Sequence, residues 1–292
     1  MITAARDEAH NLGRLADCLT AQTCLPRAWI IVENGSTDNT LEVATELSTR
    51  HDWVRPISVT GQSVPTRGGP IARAFQAGLD ALDEHPDVVV IVDADVTMDD
   101  EYFERLLEKF EADPSLGMAS GSRFELDDGS WRRHNPAGST TVEGQCRAYR
   151  SSCLVDVLPL DDYMGWDGID AVKAHLRGWA TRTFPDFGYR HHRVMGARDG
   201  TRAKAWASEG RAAYYMGYRP YYLVLRALLH ARAEPAAVGL IWGYLGEAAR
   251  RGPRCPDQDV IDFVRSEQSL TKLPDRVREA RGRTALTGEK PI

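Results

Sequence analysis

Short apolar runs alternate with segments of helical period along the N-terminal part of the chain, the pattern of strand–helix–strand units around a mostly parallel sheet. Ile2 to Ala5 reads as a short strand that stops at Arg6. Leu12, Leu15, Ala16 and Leu19 then recur at i, i+3, i+4 and i+7, which predicts an amphipathic helix from Asn11 to Gln22. Trp29 to Val32 reads as a buried strand, followed by a polar turn with Gly35 and a helix carrying Leu41, Ala44 and Leu47. Pro56 to Thr60 predicts a third strand. Ile71, Phe75, Leu79 and Leu82 mark the next helix, entered through Gly68-Gly69-Pro70. Val88 to Val92 predicts a fourth strand, and Phe103, Leu106, Leu107 and Phe110 give the face of the helix after it, with Asp99 or Asp100 as its N-cap.

The ends of these strands carry the chemistry. They read Ala5-Arg6-Asp7-Glu8, Glu33-Asn34-Gly35-Ser36 and Asp93-Ala94-Asp95, and in an open α/β sheet a ligand sits where such carboxyl ends meet their loops. Side chains at i and i+2 of a strand share a face, so Asp93 and Asp95 would repel unless a cation sits between or beside them. The plainer reading is that both aspartates close a turn. Neither a GxxxxGK phosphate loop nor a GxGxxG turn follows the first strand, which sets aside the common nucleotide fingerprints.

Composition narrows the classes further. The 292 residues favour one large α/β unit with an appendage or two lobes, and 36 Lys+Arg against 42 Asp+Glu give a net charge of -6. That balance argues against a nucleic-acid binder, whose affinity rests on phosphate neutralisation. Cys18, Cys24, Cys146, Cys153 and Cys255 form no CxxC pair and leave an odd count, which points away from a disulfide framework or a zinc site and toward a reducing cytoplasm. No basic-then-apolar leader opens the sequence, and no apolar run reaches the ~18 residues of a spanning helix. The first strand begins almost at Met1, which leaves a start further upstream open.

The segments "ITAARDEAHNL", "IIVENGSTDNT" and "VVIVDADV", in this order and at these spacings, resemble the opening half of a family-two glycosyltransferase with the GT-A fold. The resemblance implies a Rossmann-like, mostly parallel sheet flanked by helices, with residues 1–120 binding the nucleotide sugar, residues 121–205 forming the acceptor half, and residues 206–292 a C-terminal helical appendage. It places Ala5, Arg6, Glu8, Glu33, Asn34 and Ser36 around the nucleotide, Asp93 and Ala94 by the ribose, and Asp95 on a divalent cation, Mn²⁺ or Mg²⁺. Such a cation would neutralise the diphosphate as it leaves. Where the family usually ends its second strand in Asp-Asp-Gly-Ser, this chain has Glu33-Asn34-Gly35-Ser36, which leaves the choice of base open. Arg73 falls in a segment like the one that sets a basic side chain near the diphosphate, a solvated helix face being the alternative; Arg67 carries a weaker version of the same expectation.

In the second half, "VEGQCRAYRSSCL" resembles the segment beneath the acceptor pocket, and "DDYMGWDGIDAVKAHLRGW" resembles the region that usually reads Gly-Glu-Asp, then a helix, then Gly-aromatic. Asp167 matches that aspartate and is the candidate base that takes the acceptor hydroxyl's proton in a displacement with inversion. Trp166 replaces the usual glutamate and would offer an indole face to a sugar. Asp170, one helical turn on, would bond the acceptor or cap the turn, and Asp161 and Asp162 read as a solvated loop. The resemblance also implies a metal ligand from "RHHR", His191 or His192, a structural histidine being the alternative; a strand lets only one of the two reach the site, and the H-x-R form favours His191. Arg193, Arg198 and Asp199 would order a loop over the diphosphate.

From Trp206 the composition shifts: Tyr214, Tyr215, Tyr218, Tyr221, Tyr222 and Tyr244 lie among apolar residues and arginines. This stretch would rest in a lipid interface, or pack as a helical hairpin on the catalytic part or on a second copy in a homodimer. It resembles the tails of bacterial exopolysaccharide glycosyltransferases. The expected partners are therefore a nucleoside diphosphate sugar, UDP leading by family frequency, and a hydroxyl acceptor, lipid-linked if the tail meets a membrane. Localisation would be cytoplasmic, or peripheral on the inner membrane face. A transferase for a soluble natural product and a non-catalytic nucleotide-sugar-binding scaffold are the alternatives.

Overall fold

The computed structural model describes residues 1–59, 68–83, 85–134, 142–193, 201–232 and 234–274. The predictions on Thr60, Arg67, Arg198 and Asp199 fall outside them. Strands β1 (Ile2–Ala5), β2 (Trp29–Glu33), β3 (Val54–Ser58) and β4 (Val88–Val92) alternate with helices α1 (Ala9–Thr20), α2 (Thr40–Arg50) and α3 (Gly69–Asp80). β5 (Val96–Met98) and α4 (Tyr102–Ala112) follow, then β6 (Leu116–Asp127), β7 (Ser130–Arg133), β8 (Cys146–Arg150), α5 (Ser151–Val157), α6 (Trp166–Leu176) and β9 (Ala180–His191).

One nine-stranded sheet runs β3-β2-β1-β4-β8-β6-β9-β5, with β7 paired to β6. β1, β2, β3 and β4 pair in parallel with one another, as β6 does with β9, but β4–β8, β6–β8, β6–β7 and β5–β9 are antiparallel. The sheet is therefore mixed, not mostly parallel. The reason is local: the strand–helix–strand period ends with β4, and β6 turns directly into β7 through Asp128 and Gly129, both at positive φ (48° and 78°), a two-residue hairpin that permits only antiparallel pairing.

Helices cover both faces. Leu12, Leu15 and Leu19 of α1, Ala44 and Leu47 of α2, and Phe103, Leu106 and Phe110 of α4 bury one side of the sheet. Ala72 and Phe75 of α3, Leu154 of α5 and Ala174 of α6 bury the other. The helices fall where the periodicity puts them, within a few residues. Two details differ. β3 begins at Val54, ahead of the expected Pro56, and Leu41 stays exposed while Ala44 and Leu47 carry the contact. Neither Asp99 nor Asp100 caps α4, whose N-cap position is Glu101 with no side-chain bond; Asp99 instead accepts from Arg190 Nη1 at 2.9 Å.

Beyond β9 come α7 (Arg202–Tyr215), α8 (Pro220–Ala231), a 3-10 turn (Pro235–Val238), α9 (Gly239–Arg250) and α10 (Gln258–Glu267). α7 and α9 approach backbone to backbone: a Cβ on Gly243 would stand 1.9 Å from the Ala207 carbonyl oxygen, and one on Gly210 would stand 2.1 Å from that of Leu240. α10 joins Val260, Ile261 and Val264 to Ile169 of α6, with Tyr215 and Cys255 in the same cluster. The appendage thus braces the helix that carries Asp167. No helix among the described residues is long and apolar enough to cross a membrane.

Candidate active site

The loops after β1 and β2 are stitched into one surface. Asp7, at φ 55°, accepts at Oδ1 from the backbone N–H of Thr37 (2.7 Å), the Thr37 hydroxyl (3.0 Å) and the N–H of Asp38 (3.3 Å). These bonds, the Thr37 N–H first, hold its carboxyl below the usual aspartate range against the opposing effect of burial. The Asp7 N–H donates to Ser36 Oγ at 3.1 Å, that of Glu8 to Thr40 Oγ1 at 2.8 Å, and that of Asn34 to the Ala5 carbonyl at 2.9 Å. Glu33 is buried, and its carboxylate accepts from the Ser36 N–H. Ala5 is buried too, whereas Arg6, Asn34 and Ser36 are half-exposed at the rim.

Asp93, Ala94 and Asp95 lie in the turn between β4 and β5 rather than in a strand. The two carboxylates nonetheless gather, and His191 joins them: one ligand atom from each of the three lies within 4.8 Å of the others. β9 brings the histidine, because its register with β5 sets His191 opposite Val96. His191 Nε2 stands 3.5 Å from Asp95 Oδ1, and Nδ1 faces Glu125 Oε1 at 3.8 Å. Burial pushes the imidazole down, but Asp95 and Glu125, with Asp93 behind, outweigh it and raise it to about 9. His192 turns the other way, 2.8 Å from Thr97 Oγ1 and edge-on to Trp131. Of the pair, His191 at the end of β9 faces the carboxylates, and His192, one residue beyond the strand, turns away.

Positive charge also reaches the carboxylates from Arg193. Its Nε lies 3.2 Å from Asp95 Oδ2, and its Nη2 donates to both oxygens of Glu8 at 2.8 and 2.7 Å. Asn11 Nδ2 donates to Glu8 as well, at 2.6 Å. Glu8, expected at the nucleotide, is 3% exposed and is occupied in bracing Arg193 against the site. Two carboxylates and an imidazole at this spacing fit a small divalent cation.

Residues 1–157, more than half of the chain, match the family model described as glycosyl transferase family 2. The chain belongs to this family. No curated protein sequence matches it. Among solved structures it resembles a mannosyltransferase, PcManGT from Pyrobaculum calidifontis, in complex with GDP-Man and Mn²⁺, at 17% identity and a TM-score of 0.56, over 96% of this chain and 83% of that one. TarS 1–349 of S. aureus in complex with UDP is similar at 13% identity and a TM-score of 0.53, over 86% of this chain and 90% of that one. The same TarS fragment with UDP-GlcNAc matches at 14% identity and a TM-score of 0.53, over 73% of this chain and 64% of that one. At such identities the structures show the fold alone; family membership makes the chain a glycosyltransferase that uses a nucleotide sugar.

In this family-two glycosyltransferase Asp167 sits exposed on the first turn of α6. Its Oδ2 would be 3.1 Å from a Cβ on Gly144, next to Gln145, whose carbonyl accepts from the Asp93 N–H at 2.8 Å. The candidate base and the Asp93 turn therefore flank the same entry to β8. The other expected acceptor residues lie elsewhere. Trp166 is 6% exposed and belongs to the apolar core under α3, so it offers no open ring to a sugar. Asp170 is 1% exposed and receives Arg147 Nη1 at 2.7 Å and the Tyr149 hydroxyl. It neither caps a turn nor faces an acceptor, because i+3 on this helix points into the core. Asp161 is not solvated: its side chain is 8% exposed, accepts from Tyr215 and stands 3.3 Å from Lys173 Nζ. Arg73 pairs with Asp162 at the surface.

Three residues absent from the sequence-based set shape the site. Asp7 ties the loop after β1 to the loop after β2, and an acidic residue between the first strand and its helix was its available signal. Glu125 and Arg123 come from β6, where charged residues two apart gave a same-face signal with nothing to say what they would face.

Proposed function

We propose that this protein transfers a sugar, with inversion, from a nucleoside diphosphate sugar, UDP first among the nucleotides, to a hydroxyl acceptor. The observation that carries the reading is the convergence of Asp93, Asp95 and His191 at the carboxyl ends of the parallel strands. A bound divalent cation would offset the charge of the departing diphosphate. Asp95 and His191 would hold it, with Asp93 and Ala94 toward the ribose, and the imidazole nitrogen moves the donor set from Mg²⁺ toward Mn²⁺. Ala5, Arg6, Glu33, Asn34 and Ser36 form the nucleotide wall, stiffened by Asp7. Asp167 takes the acceptor hydroxyl's proton as its oxygen attacks the anomeric carbon, opposite the breaking bond to phosphate.

Calorimetry of UDP, GDP and dTDP with and without Mn²⁺ tests the reading. Wild type is expected to bind one of them more tightly with the metal, and Asp95→Ala to lose that gain. Full retention of the metal effect in Asp95→Ala, or no binding by the wild type, would sink it.

A lipid-linked acceptor, of the kind used in polysaccharide or glycoconjugate synthesis, is supported by one feature of the appendage. Leu225, Leu228 and Leu229 of α8 and Trp242 and Leu245 of α9 are 44, 59, 46, 70 and 51% exposed. Apolar side chains on adjacent helices with arginines nearby suit an interface at headgroup depth. The protein is expected to float with anionic liposomes and Leu228→Asp/Trp242→Asp to stay behind; equal recovery of both in the soluble fraction would favour a soluble acceptor.

A further inference from the structure

β6 and β9 run parallel with Glu125 in register with His191 and Arg123 in register with Tyr189. Glu125 and Arg123 lie two apart on β6, so both side chains leave the same face. This register, and not chance proximity of loops, puts a carboxylate behind the imidazole of the metal cluster. His191 is 10% exposed at its side chain, with Nε2 toward Asp95 and Nδ1 toward Glu125 Oε1 at 3.8 Å. That separation exceeds a formed hydrogen bond. Yet Nδ1 and Oε1 are both buried and neither has another hydrogen-bond partner among the described residues. Arg123 Nε is likewise buried without such a partner, 3.6 Å from Oε1. A carboxylate oxygen accepts from more than one donor, however, so Glu125 is the acceptor open to Nδ1, and a shift of well under an ångström closes the bond.

Glu125 is itself held from behind. Arg123, 3% exposed, places Nε 3.6 Å from Glu125 Oε1 and 3.8 Å from Glu143 Oε2, and Glu143 Oε1 lies 3.1 Å from His134 Nδ1. A buried guanidinium between two carboxylates draws Glu125 Oε1 inward, since an outward turn would leave Arg123 with Glu143 alone as its counter-charge.

We propose that Glu125 is a positioning residue of the metal site: its carboxylate accepts from His191 Nδ1–H and so fixes the tautomer whose Nε2 lone pair faces Asp93 and Asp95. The inference rests on the metal-dependent reading above. An imidazole can give a cation only one lone pair, and which nitrogen keeps it is set by the bond the other makes. Without Glu125 the ring would be free to hold its proton on Nε2 or to rotate from the cluster. The cost then falls on metal affinity before any chemistry begins.

The test is Mn²⁺ binding to the full chain, read by electron paramagnetic resonance with whichever of UDP, GDP and dTDP binds best and no acceptor present. Glu125→Ala is expected to weaken Mn²⁺ about 10- to 100-fold, and Glu125→Gln to regain most of that loss because its amide oxygen still accepts from Nδ1–H. In a His191→Ala background, Glu125→Ala should add almost nothing, since its action passes through the ring. Should the alanine variant fail to fold, Glu125→Asp enters the same cycle, keeping the charge but withdrawing the acceptor by one methylene. Unchanged Mn²⁺ affinity in Glu125→Ala, or losses that simply add in the double variant, would overturn the positioning role. Failure of the wild type to bind Mn²⁺ at all would instead overturn the metal reading beneath it.

Discussion

Asp167→Asn is expected to lower turnover about 10²-fold or more while leaving nucleotide and Mn²⁺ binding at wild-type strength. The amide matches the carboxylate in size, and the backbone at this position is anchored independently, since Arg147 Nη1 donates to the Asp167 carbonyl at 2.7 Å. The variant therefore changes proton affinity and little else. A base acts only when the acceptor oxygen attacks, so the loss should appear in kcat and not in the affinity for the donor. Product formation from a radiolabelled nucleotide sugar, alongside calorimetry of the nucleotide, separates the two quantities. Wild-type turnover in Asp167→Asn would remove Asp167 from the mechanism and send the search to another acidic group near β8. Weakened nucleotide binding with proportionate loss of rate would make Asp167 a binding residue.

The loops after the first two strands are legible in the sequence because their information is local. A strand ending in Glu33-Asn34-Gly35-Ser36 before a helix fixes where the loop lies, whatever the rest of the chain does. That His191 and His192 face opposite ways is also local, since side chains alternate along an extended chain. What the sequence hides are pairings made by strands distant along the chain. β5 is only three residues long and merges with the Asp93–Asp95 turn, yet its register with β9 is what delivers His191. Glu125 and Arg123 read as ordinary charges until β6 and β9 are seen side by side. Trp166 invites a functional reading because it replaces a charged residue in the family pattern; its burial follows from the helix phase, which sends that position toward α3 and leaves Asp167 outside. The mixed sheet was hidden for a related reason, because a period read from the first four strands says nothing about hairpins after them.

Asp170→Ala is expected to destabilise the protein by roughly 3–5 kcal/mol, the cost of leaving a buried cation without its partner. Arg147 is 1% exposed and comes from β8, across the core from α6. Its Nη1 meets Asp170 Oδ1 and Oδ2 at 2.7 and 2.8 Å, and its Nη2 and Nε donate to the Val142 and Glu143 carbonyls at 2.5 and 3.4 Å. Burial pushes the guanidinium toward neutrality, but the Asp170 charge prevails and raises its pKa, so the cation persists and needs a counter-charge. Tyr149, fully buried, donates its hydroxyl to the same carboxylate, and truncation would orphan it too. The same guanidinium ties α6 to the segment leading into β8, so the pair holds Asp167 in place opposite the Asp93 turn. Urea unfolding should show a lower midpoint at an unchanged slope. Arg147→Met/Asp170→Leu, which removes both charges and fills the volume, should recover much of the stability yet still lower turnover, because α6 then lacks its tie to the Asp167 carbonyl. A loss below about 1 kcal/mol in Asp170→Ala would mean that water reaches Arg147 and the pair is not the clamp its burial indicates.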